Sequence, residues 1–489
     1  MSVFDPDGTR LPIKIDSTTN GEFVPSPLPK VNRVANAAAL TRADDIRKSL
    51  GVSRRDFLVS TTGAAATLMT FNEVHAAAGA RGGYFDLPRE AAYEMAAADS
   101  VLKGSEFVFD IQGHHVSPIA KWKNPGISWA MLFKQIPGAQ CAPPEKLGQY
   151  GHLDCIGRDA FVKELFLDSD TSMGVLTFVP TTEDNMPLST AEAQATKQIV
   201  DALDGSERLL LHGRVIPNLP GDIARMPELL KTWKIAAWKT YTQFNEGWWL
   251  DDDKTGIPFL EAVRSSGQKL VCVHKGLPLP PMGDQLQFSR SDDVGRAAKK
   301  FKDITFIVYH SGYDDTIKEG PFVPGSGKGG VDSLVQSLLD NGIAPNSNVY
   351  AELGTTWRTV MKDPDQTAHV LGKLIKYVGE DRVVWGTDSI WYGSPQDQIQ
   401  ALRAFQISDE FCEKYGYAKL TPQIKAKILG LNAAVPYKIQ PKTLQRKAAN
   451  DALAKWKAAY AEQPDPSFMT FGPKTRGEFL RFWKSGGHT

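Results

Sequence analysis

The stretch Phe107-Val108-Phe109-Asp110-Ile111-Gln112-Gly113-His114-His115-Val116 predicts a buried strand that ends in a polar tip. Its first five residues are mostly apolar, and its later residues carry an amide and two imidazoles. This order is typical of a strand that runs through a protein core and emerges into a site. Because side chains alternate along a strand, Gln112 and His114 share one face, while His115 points to the other.

The composition of the 489-residue chain argues against several classes of function. Hydrophobic residues make up 42% and charged residues 23%, which is typical of a globular protein. The 56 basic and 56 acidic residues leave no net charge, so nothing indicates a nucleic-acid partner or an anionic membrane surface. The four cysteines lie far apart without a C-x-x-C motif, which argues against a disulfide framework and a zinc knuckle.

The N-terminal 80 residues predict a leader and an export signal. Residues 1–52 are rich in Pro, Asn, Asp and Ala and show little periodicity, so we expect a mostly unstructured leader. Residues 53–80 combine the pair Arg54-Arg55, a short apolar segment and small residues suited to cleavage, as a twin-arginine signal does. The apolar segment is too short to span a bilayer. These features predict export of the folded protein to the periplasm by the twin-arginine machinery; an amphipathic helix with an incidental arginine pair is the alternative.

After a helical lead-in at residues 81–104, short apolar runs alternate with helical patterns over residues 105–440. Eight runs are predicted to be strands: 107–111, 174–179, 208–216, 235–241, 269–273, 304–309, 349–353 and 382–385. Apolar runs that alternate with helices predict parallel strands in an α/β fold, here a (β/α)8 TIM barrel. The alternative is a doubly wound open sheet, which would normally show a Gly-rich turn after its first strand.

Two long loop insertions and a tail complete the predicted architecture. Residues 120–152 and 321–330 are predicted to be loops at the barrel mouth, and the second lacks the spacing of a phosphate-binding loop. Residues 441–489 predict a helical C-terminal extension on the outside of the barrel, where a homo-oligomer contact is an open role.

In a barrel of this kind the site forms at the carboxyl ends of the strands. Reactive side chains occupy these positions in the sequence: Gln112, His114, Arg214, Lys239, His274, His310, Glu352 and Asp388. Imidazoles and a carboxylate together suit a divalent cation such as Zn²⁺ with an open position for water. Each residue alone also has a structural interpretation, but their order on successive strands favours one site. Aromatic residues of the mouth loops suit either a ring-bearing small-molecule substrate or the core: Trp248, Trp249, Trp357, Trp391 and Tyr392.

These strand-end residues, together with two short motifs, resemble the amidohydrolase superfamily. The motifs are Gly386-Thr387-Asp388 and Ile428-Leu429-Gly430-Leu431-Asn432-Ala433-Ala434. The resemblance covers residues 105–440 and is closest to the amidohydrolase-related branch, of the aminocarboxymuconate-semialdehyde decarboxylase type. It implies a divalent metal held by His114, His274 and Asp388. It also implies that His310 positions or activates the catalytic water and that Asp388 acts as the general base.

Other strand-end residues are candidates for binding the substrate. Lys239 matches a position that is a carbamylated, metal-bridging lysine in binuclear relatives, whereas in mononuclear relatives a lysine there can bind a substrate carboxylate. We expect Arg214, Glu352 and Trp391 to contribute to the same pocket.

One residue departs from the family pattern, because the first strand carries Gln112-x-His114 where relatives have His-x-His. An amide oxygen is a poorer ligand for Zn²⁺ than an imidazole. Three outcomes stay open. A single Zn²⁺ is held with Gln112 as a weak or outer ligand; a harder ion such as Mn²⁺ or Mg²⁺ accepts the amide oxygen; or the site works without metal.

The resemblance implies a metal-dependent hydrolase that uses an activated water on a carbonyl-containing substrate, such as a lactone, an amide or a ring-cleavage product. A non-oxidative, metal-dependent decarboxylase would use the same residues and is the first alternative. A non-catalytic exported binding protein is the second, and Gln112 is the feature in its favour.

Overall fold

The computed structural model describes residue 5 and residues 7–117, 155–182, 186–278 and 280–484. Within them, eight parallel strands follow one another in chain order around one sheet. They are β1 (Phe109–Gly113), β2 (Met173–Leu176), β3 (Leu209–Arg214), β4 (Ile235–Tyr241), β5 (Leu270–His274), β6 (Thr305–Tyr309), β7 (Val349–Glu352) and β8 (Val383–Val384). Nearly all of their residues are buried, as expected for strands covered on both faces. The predicted (β/α)8 TIM barrel is therefore confirmed.

The chain after β8 closes the barrel against β1. The amide of Ile111 donates to the carbonyl of Trp385 at 3.1 Å, and the amide of Asp388 donates to the carbonyl of Gln112 at 2.9 Å. The hydroxyl and amide of Thr387 both donate to the buried carboxylate of Asp110. Residues nearly 280 positions apart in the sequence therefore lie side by side at the carboxyl ends of the strands.

Helices cover the outside of the barrel, and further helices form the C-terminal part of the chain. Those between or just after the strands are Arg158–Val162, Thr190–Asp204, Met226–Thr232, Gly256–Ser266, Val294–Lys300, Val331–Asp340, Thr356–Val360, Pro364–Lys373 and Gln396–Ala404. The later ones are Asp409–Tyr415, Pro422–Ala426, Asn432–Ala434, Pro441–Ala448, Ala452–Glu462 and Arg476–Lys484. Short 3₁₀ helices span Arg89–Ala92, Pro280–Ser289 and His310–Gly312, and π-helical turns span Lys163–Leu167, Leu374–Val378 and Lys427–Leu431. The strands Gly83–Phe85 and Phe405–Ile407 form a separate antiparallel pair.

Local sequence sets the ends of the second barrel helix. Ser189 and Glu192 form a capping box at the start of Thr190–Asp204, which satisfies backbone amides that have no partner within the helix. Gly205 ends the helix in the left-handed conformation, with a φ of 59° that costs glycine little. The local sequence thus defines both ends of this helix.

The N-terminal 80 residues differ from the predicted leader, because they form three helices that pack into the protein. These are α1 (Lys30–Leu50), α2 (Arg54–Val59) and α3 (Thr61–Ala77). The small, uncharged residues of α3 allow close packing against α1 and α4 (Met95–Leu102), and most of its side chains are buried. The composition that resembled an export signal therefore also suits a core helix.

The arginine pair lies at the start of α2, where Ser53 accepts a hydrogen bond from the amide of Asp56 and caps the helix. Arg55 donates to the carboxylate of Asp465 at 3.1 Å and to the carbonyl of Pro466 at 2.7 Å. In the folded protein this segment is a short surface helix that begins with the arginine pair. Export by the twin-arginine route remains a prediction.

Ahead of α1, residues 10–29 form an extended segment, here called the N-terminal strap, which crosses the carboxyl end of the barrel. Four prolines keep it out of a helix: Pro12, Pro25, Pro27 and Pro29. The ammonium of Lys14 donates to the carbonyls of Tyr392 and Ser394 at 2.7 and 2.5 Å. It also lies 3.3 Å from the buried carboxylate of Asp397. The strap is thus an integral part of the fold.

The C-terminal extension is helical, as predicted, but its middle part also reaches the strap. The amide of Thr19 donates to the carbonyl of Pro473 at 3.0 Å, and the amide of Phe471 donates to the carbonyl of Trp391 at 2.7 Å. Residues 321–330 form a loop, whereas the predicted insertion at 120–152 lies outside the described residues. Cys155 is joined in a disulfide bond, and Cys272 and Cys412 are free thiols. Among the helices of the described ranges, none has the length and apolar character needed to cross a membrane.

Candidate metal centre

The barrel brings the predicted ligand residues into one buried cluster. Gln112 lies in β1 and His114 directly after it, His274 ends β5, His310 follows β6, and Asp388 follows β8. All five side chains are at most 4% exposed. His115, next in the sequence, points away and lies 3.1 Å from the hydroxyl of Thr196 on an outer helix. His114 and His115 thus point to opposite faces, as the predicted alternation of side chains along the first strand requires.

The first part of the cluster centres on the carboxylate of Asp388. Its Oδ1 lies 3.1 Å from His114 Nε2 and accepts a hydrogen bond from Gln112 Nε2 at 3.1 Å. Its Oδ2 accepts from the hydroxyl of Thr355 at 2.7 Å. Burial acts to raise the pKa of Asp388, but the hydrogen bond from His114 and the nearby imidazoles outweigh it and hold the pKa below its usual range. Asp388 is therefore ionised at neutral pH.

The second part joins two histidines to a carboxylate of the strap, Glu22. Glu22 Oε1 lies 3.0 Å from His274 Nε2, and Oε2 lies 3.9 Å from His310 Nε2. One ligand atom from each of the three residues lies within 4.8 Å of the others. Burial raises the pKa of Glu22 to about 7, with the charge of Asp388 adding to the shift and His310 opposing it. A carboxylate and two imidazoles at this spacing form a candidate site for a divalent ion.

The tautomer of His310 fits a metal. His310 Nδ1 lies 2.7 Å from the carbonyl oxygen of Gly354, which only accepts, so Nδ1 carries the proton and Nε2 keeps its lone pair. Burial lowers the pKa of His310 to about 3 and that of His274 well below its usual value, so both rings are neutral. Within the described ranges His274 Nε2 is buried without a hydrogen bond. His310 Nε2 is thus in the form that Zn²⁺ and similar ions bind.

Glu352, predicted to bind substrate, instead supports His310. Its two carboxylate oxygens accept from the amide of His310 at 2.9 Å and from the amide of Gly354 at 2.5 Å. Burial raises the pKa of Glu352 to about 8. Gly354 and Gly386 leave room for this carboxylate, since an added Cβ would lie 2.5 and 1.8 Å from Glu352 Oε1.

Lys239 is a buried ammonium beside the cluster. Its Nζ has no hydrogen-bond partner among the described residues and lies 3.4 Å from the centre of the Tyr309 ring. Burial lowers the pKa of Lys239 to about 8, although nearby carboxylates such as Glu352 oppose the shift. An unpaired amine of this kind suits either role predicted for it, carboxylate binding or carbamylation.

The other two predicted substrate residues differ in their surroundings. Trp391 stacks on His114 with ring centres 5.9 Å apart and therefore forms a wall of the site. Arg214 donates to the carbonyl of Thr181 at 2.8 Å and to the carboxylate of Asp222 at 3.1 Å, so a structural role accounts for it. Of the mouth aromatics, Trp248 and Trp357 are core residues that are at most 3% exposed.

Backbone strain is concentrated at the site. His310, Thr355 and Asp388 have φ values of 62°, 55° and 58°, a region that L-residues avoid. Such conformations cost on the order of 1–3 kcal/mol each and persist when surrounding bonds hold them. The hydrogen bonds of Glu352 and Asp388 provide that restraint.

Asn20, Glu22 and Thr355 also belong to the site, although no pattern in the sequence predicts them. Asn20 Nδ2 donates to Glu22 Oε2 at 2.6 Å and to Asp388 Oδ2 at 2.7 Å, and thus joins the two parts of the cluster. The strap shows neither strand nor helix periodicity, and nothing local relates it to His274 and His310, which are more than 200 residues away in the sequence. A lone Asn-Gly-Glu in a Pro-rich stretch carries no signal of a ligand.

Comparisons with known proteins give one family match and several distant structural matches. The model of an amidohydrolase family matches residues 190–439, about half of the chain. No curated protein matches the sequence. Among solved structures, a TIM-barrel protein from Bordetella bronchiseptica has 13% identity and a TM-score of 0.40, covering 70% of this chain and 99% of that one. 5-Carboxyvanillate decarboxylase from Sphingomonas paucimobilis has 14% identity and a TM-score of 0.43, with 69% and 100% covered.

A D-hydantoinase has 13% identity and a TM-score of 0.33, covering 67% of this chain and 70% of that one. These three structures are too distant to bear on substrate or reaction. The family match rests on the sequence itself and spans the barrel from the helix after β2 to the segment after the Leu-x-x-Asn-Ala-Ala motif. By that match, the chain belongs to the amidohydrolase family.

Proposed function

We propose that the protein is a metal-dependent hydrolase that acts on a small carbonyl-containing substrate, such as a lactone, an amide or a ring-cleavage product. The observation that carries this proposal is the buried group of Glu22, His274 and His310 beside the ionised Asp388. Zn²⁺ is the metal that best suits neutral imidazoles with a carboxylate, and Mn²⁺ is the next choice. When bound, the ion lowers the pKa of a water toward about 7 and polarises a carbonyl group.

The residues around the cluster would divide the remaining work. Asp388 is an ionised acceptor, fixed by Thr355 and Asn20, and would take a proton from the attacking water. Lys239, unpaired among the described residues, would attract an anionic group of the substrate. Trp391, stacked on His114, would pack against a ring.

The second candidate is a non-oxidative decarboxylase of the same fold, which the ammonium of Lys239 favours because it suits a substrate carboxylate. The two reactions differ in their products. Hydrolysis in H₂¹⁸O introduces one labelled oxygen into the product, whereas decarboxylation releases CO₂ and introduces none. A screen of lactones, amides and aromatic carboxylates, with and without chelator, would supply the substrate for this comparison.

The test of the proposed function is Asp388→Asn, which keeps the size of the side chain and removes the proton acceptor. We expect kcat to fall by about 10²–10⁴-fold, as for the loss of a general base. Asp340→Asn, at an exposed helix end, is the matched control and should keep full activity. Unchanged turnover in Asp388→Asn would overturn the role of Asp388 as the proton acceptor. A protein that binds no metal and turns over no substrate would support the non-catalytic alternative.

A further inference from the structure

We propose that Glu22 of the N-terminal strap is a metal ligand, so that a segment outside the barrel completes the metal site. The inference rests on the proposed function, since it assigns one ligand of the same centre. It concerns a residue that the strand-end pattern does not include. The strap would then be a part of the catalytic domain and not a separable leader.

Geometry is the first support. Glu22 presents one carboxylate oxygen to each histidine, at 3.0 Å from His274 Nε2 and 3.9 Å from His310 Nε2. Gln112 cannot take this place in its present orientation, because its amide nitrogen faces Asp388 at 3.1 Å. A carboxylate from the strap thus faces the two histidines, whereas Gln112 of the first strand presents its amide nitrogen to Asp388.

Charge is the second support. Glu22 and Asp388 are both buried, and a single amide, that of Asn20, bridges their carboxylates. Within the described part of the chain, neither forms an ion pair with a lysine or an arginine. Buried carboxylates are costly without a nearby cation. A divalent ion between Glu22 and the two neutral histidines would supply that charge.

The anchoring of the strap is the third support, because a ligand must be held in place. On one side of Glu22, Asp16 pairs with Arg358 at 2.8 Å and accepts from the hydroxyl of Thr470 at 2.7 Å. On the other side, Phe23 is buried in the core. Asn20 acts as a positioning residue, since its Oδ1 accepts from the amide of Glu22 at 3.0 Å while its Nδ2 holds the carboxylate.

The experiment compares metal binding by the full-length protein and four variants. Glu22→Gln keeps the size and the hydrogen bond to Asn20, Glu22→Asp keeps the charge, and His274→Ala removes a ligand of the barrel. Glu73→Gln is the matched control, because it changes an exposed carboxylate of α3 that is 62% exposed. Zn²⁺ affinity is measured by competition with a chelator, the Co²⁺-loaded proteins are examined by visible absorption, and circular dichroism checks folding.

We expect Glu22→Gln to weaken Zn²⁺ binding by about 100-fold, at the upper end of the losses seen when supporting residues of metal sites are changed. Its Co²⁺ spectrum should change, Glu22→Asp should bind with intermediate affinity, and Glu73→Gln should match the wild type. Wild-type affinity and spectrum in Glu22→Gln, together with lost binding in His274→Ala, would overturn the role of Glu22 and leave the proposed function intact. Higher turnover in Glu22→Gln with unchanged metal binding would also overturn it and show that the strap blocks the mouth. A wild-type protein that binds no metal would overturn both proposals.

Discussion

The polar tip of β1 and the N-terminal strap place buried side chains in the same cluster, yet they reach it by different routes. Gln112 and His114 arrive there because parallel strands of a barrel end at one side, so their position in the pattern predicts their place in space. Asn20 and Glu22 arrive there because an extended segment folds across the mouth. The comparison teaches that strand topology locates most of a site, while a segment without periodicity can supply the rest.

The two regions also differ in what holds them. Backbone ladders hold β1, with its neighbour β2 on one side and the chain after β8 on the other. The strap depends on individual side chains, chiefly Lys14 and Asp16, and on a few backbone hydrogen bonds. Single substitutions should therefore detach the strap far more readily than they detach β1.

The largest effect is expected for Lys14→Met, which leaves the carboxylate of Asp397 buried without its cation. Breaking such a buried pair costs about 3–5 kcal/mol, so the free energy of unfolding should fall by that amount. Lys103→Met, which removes an exposed pair with Asp99, should change it by less than about 1 kcal/mol. Urea unfolding of both variants measures this. Equal stabilities would mean that the strap contributes little to the fold, and the comparison would then fail.

For the barrel, we expect Lys239 of β4 to make the free energy of unfolding depend on pH. Its pKa is lowered to about 8 in the folded protein, against 10.5 for the unfolded chain. As the pH rises, Lys239 therefore loses its proton at a lower pH in the folded protein than in the unfolded chain. The free energy of unfolding of the wild type then increases between about pH 8 and pH 10.5. Relative to Lys239→Met, the wild type should gain up to about 1.4 kcal/mol per pH unit in this window. Unfolding free energies of both proteins from pH 7 to 9.5 test this, and a constant difference would contradict it.

The smallest effect is expected for Gly472→Ala, which would clash sterically with the strap but changes none of the proposed metal ligands. A Cβ at Gly472 would lie 1.7 Å from the carbonyl oxygen of Thr19, so the strap must shift near Asn20 and Glu22. We expect Zn²⁺ affinity to fall by about 10-fold, the lower range for changes in supporting residues. Gly477→Ala is the control, since its Cβ would meet only a side-chain atom at 3.9 Å. Equal affinities in the two variants would show that the position of the strap does not affect the metal.

Much of the fold could be predicted because barrel strands carry a repeated signal. All eight apolar runs correspond to strands of the sheet, and the strand-end residues Gln112, His274, His310 and Asp388 come together as expected. The functions of individual side chains were less predictable. Arg214 and Glu352 lie at strand ends, yet their partners are a structural carboxylate and two backbone amides.

Residues 53–80 show why composition alone does not decide between two structures. Small residues and a short apolar run suit a cleavable signal, and they equally suit a helix that packs closely in a core. Local sequence cannot separate these two, because the difference lies in whether another surface covers the segment. In this chain α1, α4 and the barrel cover α3.

The amino-acid pattern alone was enough to predict the barrel, the end at which its site lies and most of the side chains that face it. The physical reason is periodic burial: strands that are covered on both faces must be apolar, and the first polar residues beyond them must lie at the rim. Three features follow from the packing of distant segments and not from local pattern. Glu22 faces His274 and His310, the carboxylate of Glu352 accepts from the amide of His310, and the arginine pair belongs to a folded helix. These contacts join segments with no shared pattern, so they exist only once the strap has crossed the mouth of the barrel.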